Sequence, residues 1–259
     1  MKLALYSDLH LEFMRGSPWR PPELDVDLVI LAGDIDVGTR GLEWANQTFS
    51  AWKRPPVILY VAGNHEYYGS DLDLMSEKLS KPRAGVSFIE RATVKIGAVR
   101  VLGSTLWADF ALLGSDQVAR SMATAQRHMN DYQLIRRGNR SLTPNETAKL
   151  FAESVEWLDL ELSQPWSGQT VVVTHNAPHP DCVEDRFKGG DLSPSFVSDL
   201  TWLMEKHPID IWAFGHTHFN CDFTASACRI ISNQKGYPGE AVKGFRPDLT
   251  IEIGDTLYI

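Results

Sequence analysis

An α/β fold is predicted for this chain of 259 residues by three observations. Two continuous apolar runs, "DLVILA" at 27–32 and "VILYVA" at 57–62, have the character of strands buried on both faces. Between them, Leu42, Trp44, Ala45, Phe49 and Trp52 recur at the spacing of a short amphipathic helix over 41–52. Strand, helix, strand is the layering of an α/β domain, and the last third of the chain adds β-rich segments. Hydrophobic residues make up 43% of the chain, enough for one large core, so a single domain over 1–259 is expected.

In order, 2–6 reads as a short buried strand. "SDLH" follows it, with Asp8 and His10 one residue apart; in a half-extended segment both face one way. After Gly69 a helix is predicted to about 79. Residues 86–89 and 92–102 read as strands, "AVRVL" alternating, and 115–135 as helical. A better-marked helix spans 144–162: Thr143 caps it, Pro144 sits in its first turn and Glu146 completes a capping box. "TVVVT" at 170–174 is a buried strand, 193–206 a predicted helix with Ser193 as cap before Pro194, and "DIWAF" at 210–214 a strand. In "CRIIS" and "DLTIEIGDTLYI", Ile251, Ile253 and Leu257 predict a closing hairpin.

Net charge is −8, whereas a generic phosphate-backbone binder wants a basic face; this weighs against duplex nucleic acid as a main partner. Three cysteines, Cys182, Cys221 and Cys228, show no CxxC spacing, which disfavours a disulfide framework and fits a reducing cytoplasm. Only Lys2 precedes a five-residue apolar run that Asp8 soon interrupts, unlike a secretory signal. No apolar stretch approaches the roughly 18 residues that span a bilayer. A cytoplasmic protein without a membrane segment is expected, its oligomeric state left open.

The predicted strands end alike. The first ends at Asp8 and His10, "DLVILA" at Gly33-Asp34, and "VILYVA" at Gly63-Asn64-His65-Glu66. "TVVVT" ends at His175 and "DIWAF" at Gly215-His216-Thr217-His218. Crevices beyond strand carboxyl ends bind ligands in α/β sheets, and the glycines suit tight turns there. Taken singly, a Gly-Asp pair is ordinary turn chemistry, a histidine after a strand is more often structural, and Glu66 is expected to be solvated or ion-paired. Together, such groups buried unpaired would cost several kcal/mol each by typical estimates; metal coordination removes that cost.

The ordered set "SDLH", "AGDI", "GNHE", "VTHNAPH" and "GHTH", running from residue 8 to residue 218, resembles the calcineurin-like metallophosphoesterases. The resemblance implies a two-sheet mixed β-sandwich flanked by helices, with a binuclear metal site at the strand-end edge. It implies that Asp8, His10 and His218 hold one metal, that Asn64, His175 and His216 complete a second, and that Asp34 bridges both. His65 is then an outer-shell catalytic residue facing the substrate. Many relatives have two histidines where this chain has His175-Asn176; His175 is assigned as ligand because it follows the strand directly, and His179 lies a little further on.

The residue types suit phosphoester hydrolysis. Two divalent ions, two carboxylates, neutral Asn64 and a bridging hydroxide leave one positive charge to attract an anionic phosphate. Imidazole with carboxylate and no thiolate favours Mn, Fe, Zn or Co. The expected reaction is in-line attack of the metal-bridging hydroxide on a phosphomonoester or phosphodiester, with His65 as the acid for the leaving oxygen. The competing class is a metal-binding or scaffold protein that kept the fold and lost the chemistry. Degenerate ligands would mark it, yet all seven ligand positions and His65 hold competent types.

For the small anionic phosphoester substrate, residues 115–150 are net +3, and two readings stand: a helical cap (an insertion around 104–150) that attracts anions, or a solvated helical face. Trp107 in "STLWADF" is read as a rim residue or a core tryptophan. Arg127, His128 and Asn130 are candidate substrate contacts, and Trp19 after Pro18 is read as part of a mobile rim loop.

Overall fold

The computed structural model describes residues 1–254. Strands β1 (Lys2–Tyr6), β2 (Leu28–Ala32), β3 (Val57–Val61) and β4 (Ser87–Phe88) are interspersed with helices α1 (Arg40–Phe49) and α2 (Leu72–Leu79). A hairpin of β5 (Ala92–Ile96) and β6 (Val99–Ser104) precedes α3 (Val118–His128), α4 (Asp131–Leu134), the small ribbon β7 (Arg136–Arg137) and β8 (Arg140–Ser141), and α5 (Pro144–Leu162). The chain continues through β9 (Gln169–Thr174), α6 (Thr201–Lys206), β10 (Ile211–Phe214), β11 (Asp222–Ala225), β12 (Cys228–Ser232) and β13 (Thr250–Glu252).

Pairing sorts the strands into two mixed sheets, ordered β13-β1-β2-β3-β4 and β11-β12-β10-β9-β6-β5. The interior strands are parallel; β13, β11 and β5 close edges antiparallel. Leu5, Ile30 and Leu59 from the first sheet share one buried cluster with Val101, Val171 and Ala213 from the second, which makes the sandwich core. The opposite faces, Tyr6, Leu31 and Tyr60 on one sheet and Leu102, Val172 and Trp212 on the other, pack with Phe49, Leu79, Leu158 and Leu203 of the helices. Both faces of each sheet are therefore covered, the reason the strands read as continuous apolar runs. Among the described residues, no helix is long and apolar enough to cross a membrane.

Three expectations need correction. The predicted helix over 193–206 is a 3-10 turn at Ser193–Ser195 followed, after a gap, by α6. The intervening backbone pairs with another segment: Ala177 N donates to Phe196 O (3.1 Å) and Ser198 N to Ala177 O (3.0 Å). Helical periodicity cannot register that tertiary pairing. The helix over 115–135 divides into α3 and α4 at Met129, whose backbone is extended. β13 pairs antiparallel with β1, Leu3 facing Ile251; the closing hairpin expected through Leu257 lies outside the described residues. Trp19 is no rim loop: its ring packs edge-on against Tyr6 (5.5 Å) and Phe245 (5.7 Å), and its carbonyl accepts from Trp44 Nε1.

The capping box of α5 is present, with Glu146 accepting from Thr143 N (3.1 Å) and from both Arg140 amino groups (2.7 Å each). Arg140 and Thr143 hold the Glu146 carboxyl down to about 2. A depressed carboxylate stabilises the fold above its ordinary range and loses that contribution as pH falls toward the depressed value. Glu146→Ala should therefore cost about 1 kcal/mol at neutral pH, and the gap from wild type should close between about pH 5 and pH 2. Urea titrations at stepped pH check this; a gap constant with pH would contradict it.

Candidate metal centre

The loops after β1, β2, β3, β9 and β10 carry Asp8 and His10, Asp34, Asn64 and His65, His175, and His216 and His218 to one edge of the sandwich. The two sheets are joined at that edge, where Ser7 pairs in parallel with Gln234, just beyond β12. Asp8 and His10 are not half-extended, as the sequence implied. Both have left-handed backbone (φ 53° and 48°), as do Asp34 (54°), His216 (72°) and His218 (50°). Partners fix these turns: Asp8 N donates to Gly33 O (3.0 Å), His10 N to Asp34 O (3.1 Å), His216 N to Asp8 Oδ1 (3.0 Å) and His218 N to Gln234 Oε1 (2.6 Å). Two glycines are required by space: a Cβ on Gly33 would stand 2.4 Å from His175 Nδ1, and one on Gly63 2.2 Å from Asp34 Oδ1.

Among the described residues, three groups of donor atoms converge closely enough to hold a cation: Asp8 with His10 and His218, His10 with Asp34 and His65, and Asp34 with His175 and His216. Asp34 belongs to two of them through different oxygens. Oδ1 lies 3.4 Å from His175 Nε2, while Oδ2 lies 3.7 Å from His65 Nε2 and 4.0 Å from His10 Nε2. His10 Nε2 and His218 Nε2 are 3.0 Å apart, and His175 Nε2 is 3.1 Å from Asn64 Oδ1. Asn64, His175 and His216 thus border one group and His10 and His218 another, while His65 stands among the donor atoms themselves, close to His10 and Asp34.

Outer partners point the donors inward. His175 Nδ1 faces Ala32 O (2.9 Å), His218 Nδ1 faces Glu240 Oε2 (2.7 Å), and His10 Nδ1 faces Glu12 Oε1 (3.2 Å). Each carbonyl or carboxylate accepts a hydrogen bond from Nδ1–H, which leaves the Nε2 lone pair toward the centre. Asn64 Nδ2 donates to Asp131 Oδ1 (2.8 Å) and the Tyr68 hydroxyl (2.9 Å), so its oxygen faces inward. Glu66, expected to be solvated or ion-paired, is fully buried. It accepts from the backbone of Asp34 (3.1 Å), Ile35 (2.9 Å) and Gly63 (2.7 Å) and from the Tyr60 hydroxyl (2.6 Å), tying two ligand loops together. Burial, with the Asp34 charge, pushes its carboxyl up to about 7.

Asp8 and Asp34 are buried, and among the described residues their ion-pair partners are imidazoles alone. Burial would raise the Asp34 carboxyl, but His65 and His175 outweigh it and hold it well below the usual range. Burial likewise opposes charge on His175, yet Asp34 lifts it to about 10; Asp8 does the same for His218, to about 9. His216 goes the other way, down to about 3, through burial and the neighbouring His175 charge. Two buried carboxylates ringed by inward-facing imidazole and amide donors fit divalent cations, which would supply the positive charge that imidazolium otherwise provides.

The sequence-based reading did not single out Glu12, Asp131, Gln234 and Glu240, which orient donors or their backbone. Glu12 Oε1 receives His10 Nδ1 and His65 Nδ1 (2.7 Å), and its place two residues after His10 was the available clue. Asp131 adjoins Asn130, the neighbour chosen for substrate contact. Asp131→Ala should release the Asn64 amide and weaken metal affinity about 10- to 100-fold. Chelator competition measures this; an unchanged Kd would leave Asp131 with a purely structural part.

The candidate substrate residues do not gather at the donor groups. Trp107 is 7% exposed, its ring 5.8 Å from Tyr67, so it is a core residue and not on the rim. Arg127 is exposed and bonds Ala123 O of its own helix. Asn130 caps α4 from an exposed position, while His128 borders a cavity considered below. The positive surplus over 115–150 is largely engaged: Arg120 pairs with Asp191, Arg137 with Asp73, and Arg140 with Glu146. Asn176 is buried and donates to Ser195 O (3.1 Å), and the His179 ring packs against Phe223.

A family model described as calcineurin-like phosphoesterase matches residues 1–220. An uncharacterized protein of Acanthamoeba polyphaga mimivirus is 26% identical over 288 residues, covering 99% of this chain and 99% of the relative. The crystal structure of phosphopantetheinyl hydrolase from Mycobacterium tuberculosis shares the fold, with a TM-score of 0.69 at 18% identity over 92% of this chain and 90% of that one.

Proposed function

The chain belongs to the calcineurin-like phosphoesterase family, and from that premise we propose that it hydrolyses small phosphoesters with two divalent transition-metal ions, drawn from Mn, Fe, Zn and Co. Metal-dependent phosphoester hydrolysis is the chemistry of the family. In this reading Asp8, His10 and His218 hold one ion, Asn64, His175 and His216 the other, and Asp34 joins them. The observation that carries it is the division of the Asp34 oxygens between separate sets of imidazoles.

When bound, such a pair supplies Lewis-acid charge for the phosphoryl oxygens and a nucleophile near neutral pH. The chain's own residues do the rest. Neutral Asn64 leaves the centre a positive surplus for an anionic substrate. Glu12 takes the Nδ1 side of His65, so Nε2 faces the centre beside Asp34, 3.3 Å from the Tyr237 hydroxyl. Burial disfavours charge on His65, while Asp34 and Glu12 raise it to about 9 in the metal-free chain; with Asp34 engaged by cations, Glu12 on Nδ1 is the group left to favour a protonated ring, the form a departing alkoxide requires. Tyr237 stacks on His10 (4.1 Å) and screens that side from water. The 104–150 region is proposed as a cap that reaches the centre through Asp131. Three free cysteines accord with a cytoplasmic setting.

The test is metal analysis of chelator-stripped, reconstituted protein together with turnover of p-nitrophenyl phosphate and its bis ester. Two equivalents with turnover are expected. A plateau at one equivalent would contradict the bridge, and two equivalents without turnover of either ester would favour a binding protein.

A further inference from the structure

We infer that an apolar cavity beside the metal centre receives the leaving group of the substrate, and that this group is an uncharged hydrocarbon alcohol rather than one bearing a second phosphate. This rests on the hydrolase reading and names its substrate class. The cavity encloses about 530 Å³, within the range of small-molecule sites. Val183, Phe187, Leu192, Phe196 and Val197 give it an apolar wall.

Two contacts join it to the centre. The Phe196 ring lies nearly flat on the His216 imidazole, with centroids 4.6 Å apart and planes at 27°. Thr217, which also lines the cavity, sits in the chain between His216 and His218. One wall is therefore shared, and the space adjoins the place where a phosphoester would be held.

Charge decides what kind of substituent. Among the described residues no lysine or arginine lines the cavity, and its one imidazole, His128, is exposed. Its two acidic residues are ion-paired with arginines that do not line it, Glu184 with Arg186 (2.7 Å) and Asp191 with Arg120 (2.8 Å). A second phosphate would be desolvated there beside two carboxylates, and the nearby arginines, Arg186 and Arg120, are already committed to those carboxylates. A hydrocarbon chain gains from the same surroundings. Phe187 supports the assignment: 52% exposed, it offers a large apolar ring to solvent at this cavity.

The experiment uses the metal-reconstituted chain and two readouts. The first is kcat/KM for methyl, butyl and hexyl phosphate and for hexane-1,6-diyl bisphosphate, followed by phosphate release. The second is calorimetric binding of methylphosphonate and hexylphosphonate, which needs no turnover. We expect kcat/KM and affinity to rise by up to about fourfold per methylene, as much as about a thousandfold from methyl to hexyl, and the bisphosphate to fall back toward the methyl ester. Leu192→Trp, which fills the cavity, should flatten both series; Phe187→Ala, which removes wall area, should shallow them and serves where the tryptophan variant does not fold. Equal values for methyl and hexyl compounds, or a preferred bisphosphate, would overturn the inference while leaving the hydrolase reading intact. Hexylphosphonate binding that tracks chain length, with no phosphoester turned over, would uphold the cavity and count against the hydrolase reading instead.

Discussion

Asp34→Asn is expected to leave the reconstituted protein with less than one equivalent of metal and to lower kcat/KM by on the order of 10³ or more. The substitution keeps size and one oxygen, so the bond from His65 N to Oδ1 (2.9 Å) survives. What changes is the other arm. An NH2 replaces Oδ2 and points donors at His10 Nε2 and His65 Nε2, where lone pairs must meet a cation. The lost negative charge is felt on both sides because each oxygen serves its own group of imidazoles. His218→Ala removes a donor from one group only and should spare most of the other ion. Elemental analysis after dialysis separates the cases. Asp34→Asn protein that retains one full, tightly held ion would contradict the bridging part.

His65→Asn should depress alkyl phosphoesters by about 10²–10⁴-fold and nitrophenyl esters much less. Nitrophenolate leaves with little protonation, whereas an alkoxide needs a proton as the bond breaks. In the structure the ring is held by Glu12 on one nitrogen and open to the centre on the other. Metal content should change little if the ring acts only as an acid. An equal loss for both leaving groups would make His65 an electrostatic donor to the phosphoryl oxygens. Loss of metal together with activity would make it a ligand, a part its closeness to His10 and Asp34 permits.

Much of this was readable from residue order. Apolar runs announced the strands because both sheet faces are covered, and the polar groups that ended those runs gather at one edge because the strands carrying them are parallel within their sheets. The capping box of α5 was legible because its interactions span only a few residues. What escaped depends on distant partners. Asp131 meets Asn64 across 67 residues, and Glu240 meets His218 across 22. Neither carboxylate follows a strand, so nothing in the periodicity marked them. Glu66 was misjudged because its charge is met by backbone amides, which leave no trace in side-chain pattern. The helix read over 193–206 failed for a similar reason, its middle having been drawn into pairing with Ala177.

The left-handed turns at Asp8, His10, Asp34, His216 and His218 set a limit on how this protein can be improved. Outside glycine, such conformations cost about 1 kcal/mol or more each, less for aspartate than for bulkier side chains. Among the described residues, five of the eleven non-glycine residues with positive φ present donors, so at those five robustness and chemistry are selected in opposite directions. A library screened for melting temperature alone would drift toward glycine or asparagine at positions 10, 216 and 218, and its most heat-resistant members would be inert. Breeding a hardier catalyst from this scaffold therefore calls for selection on turnover at every round, with gains sought at the far end of the sandwich.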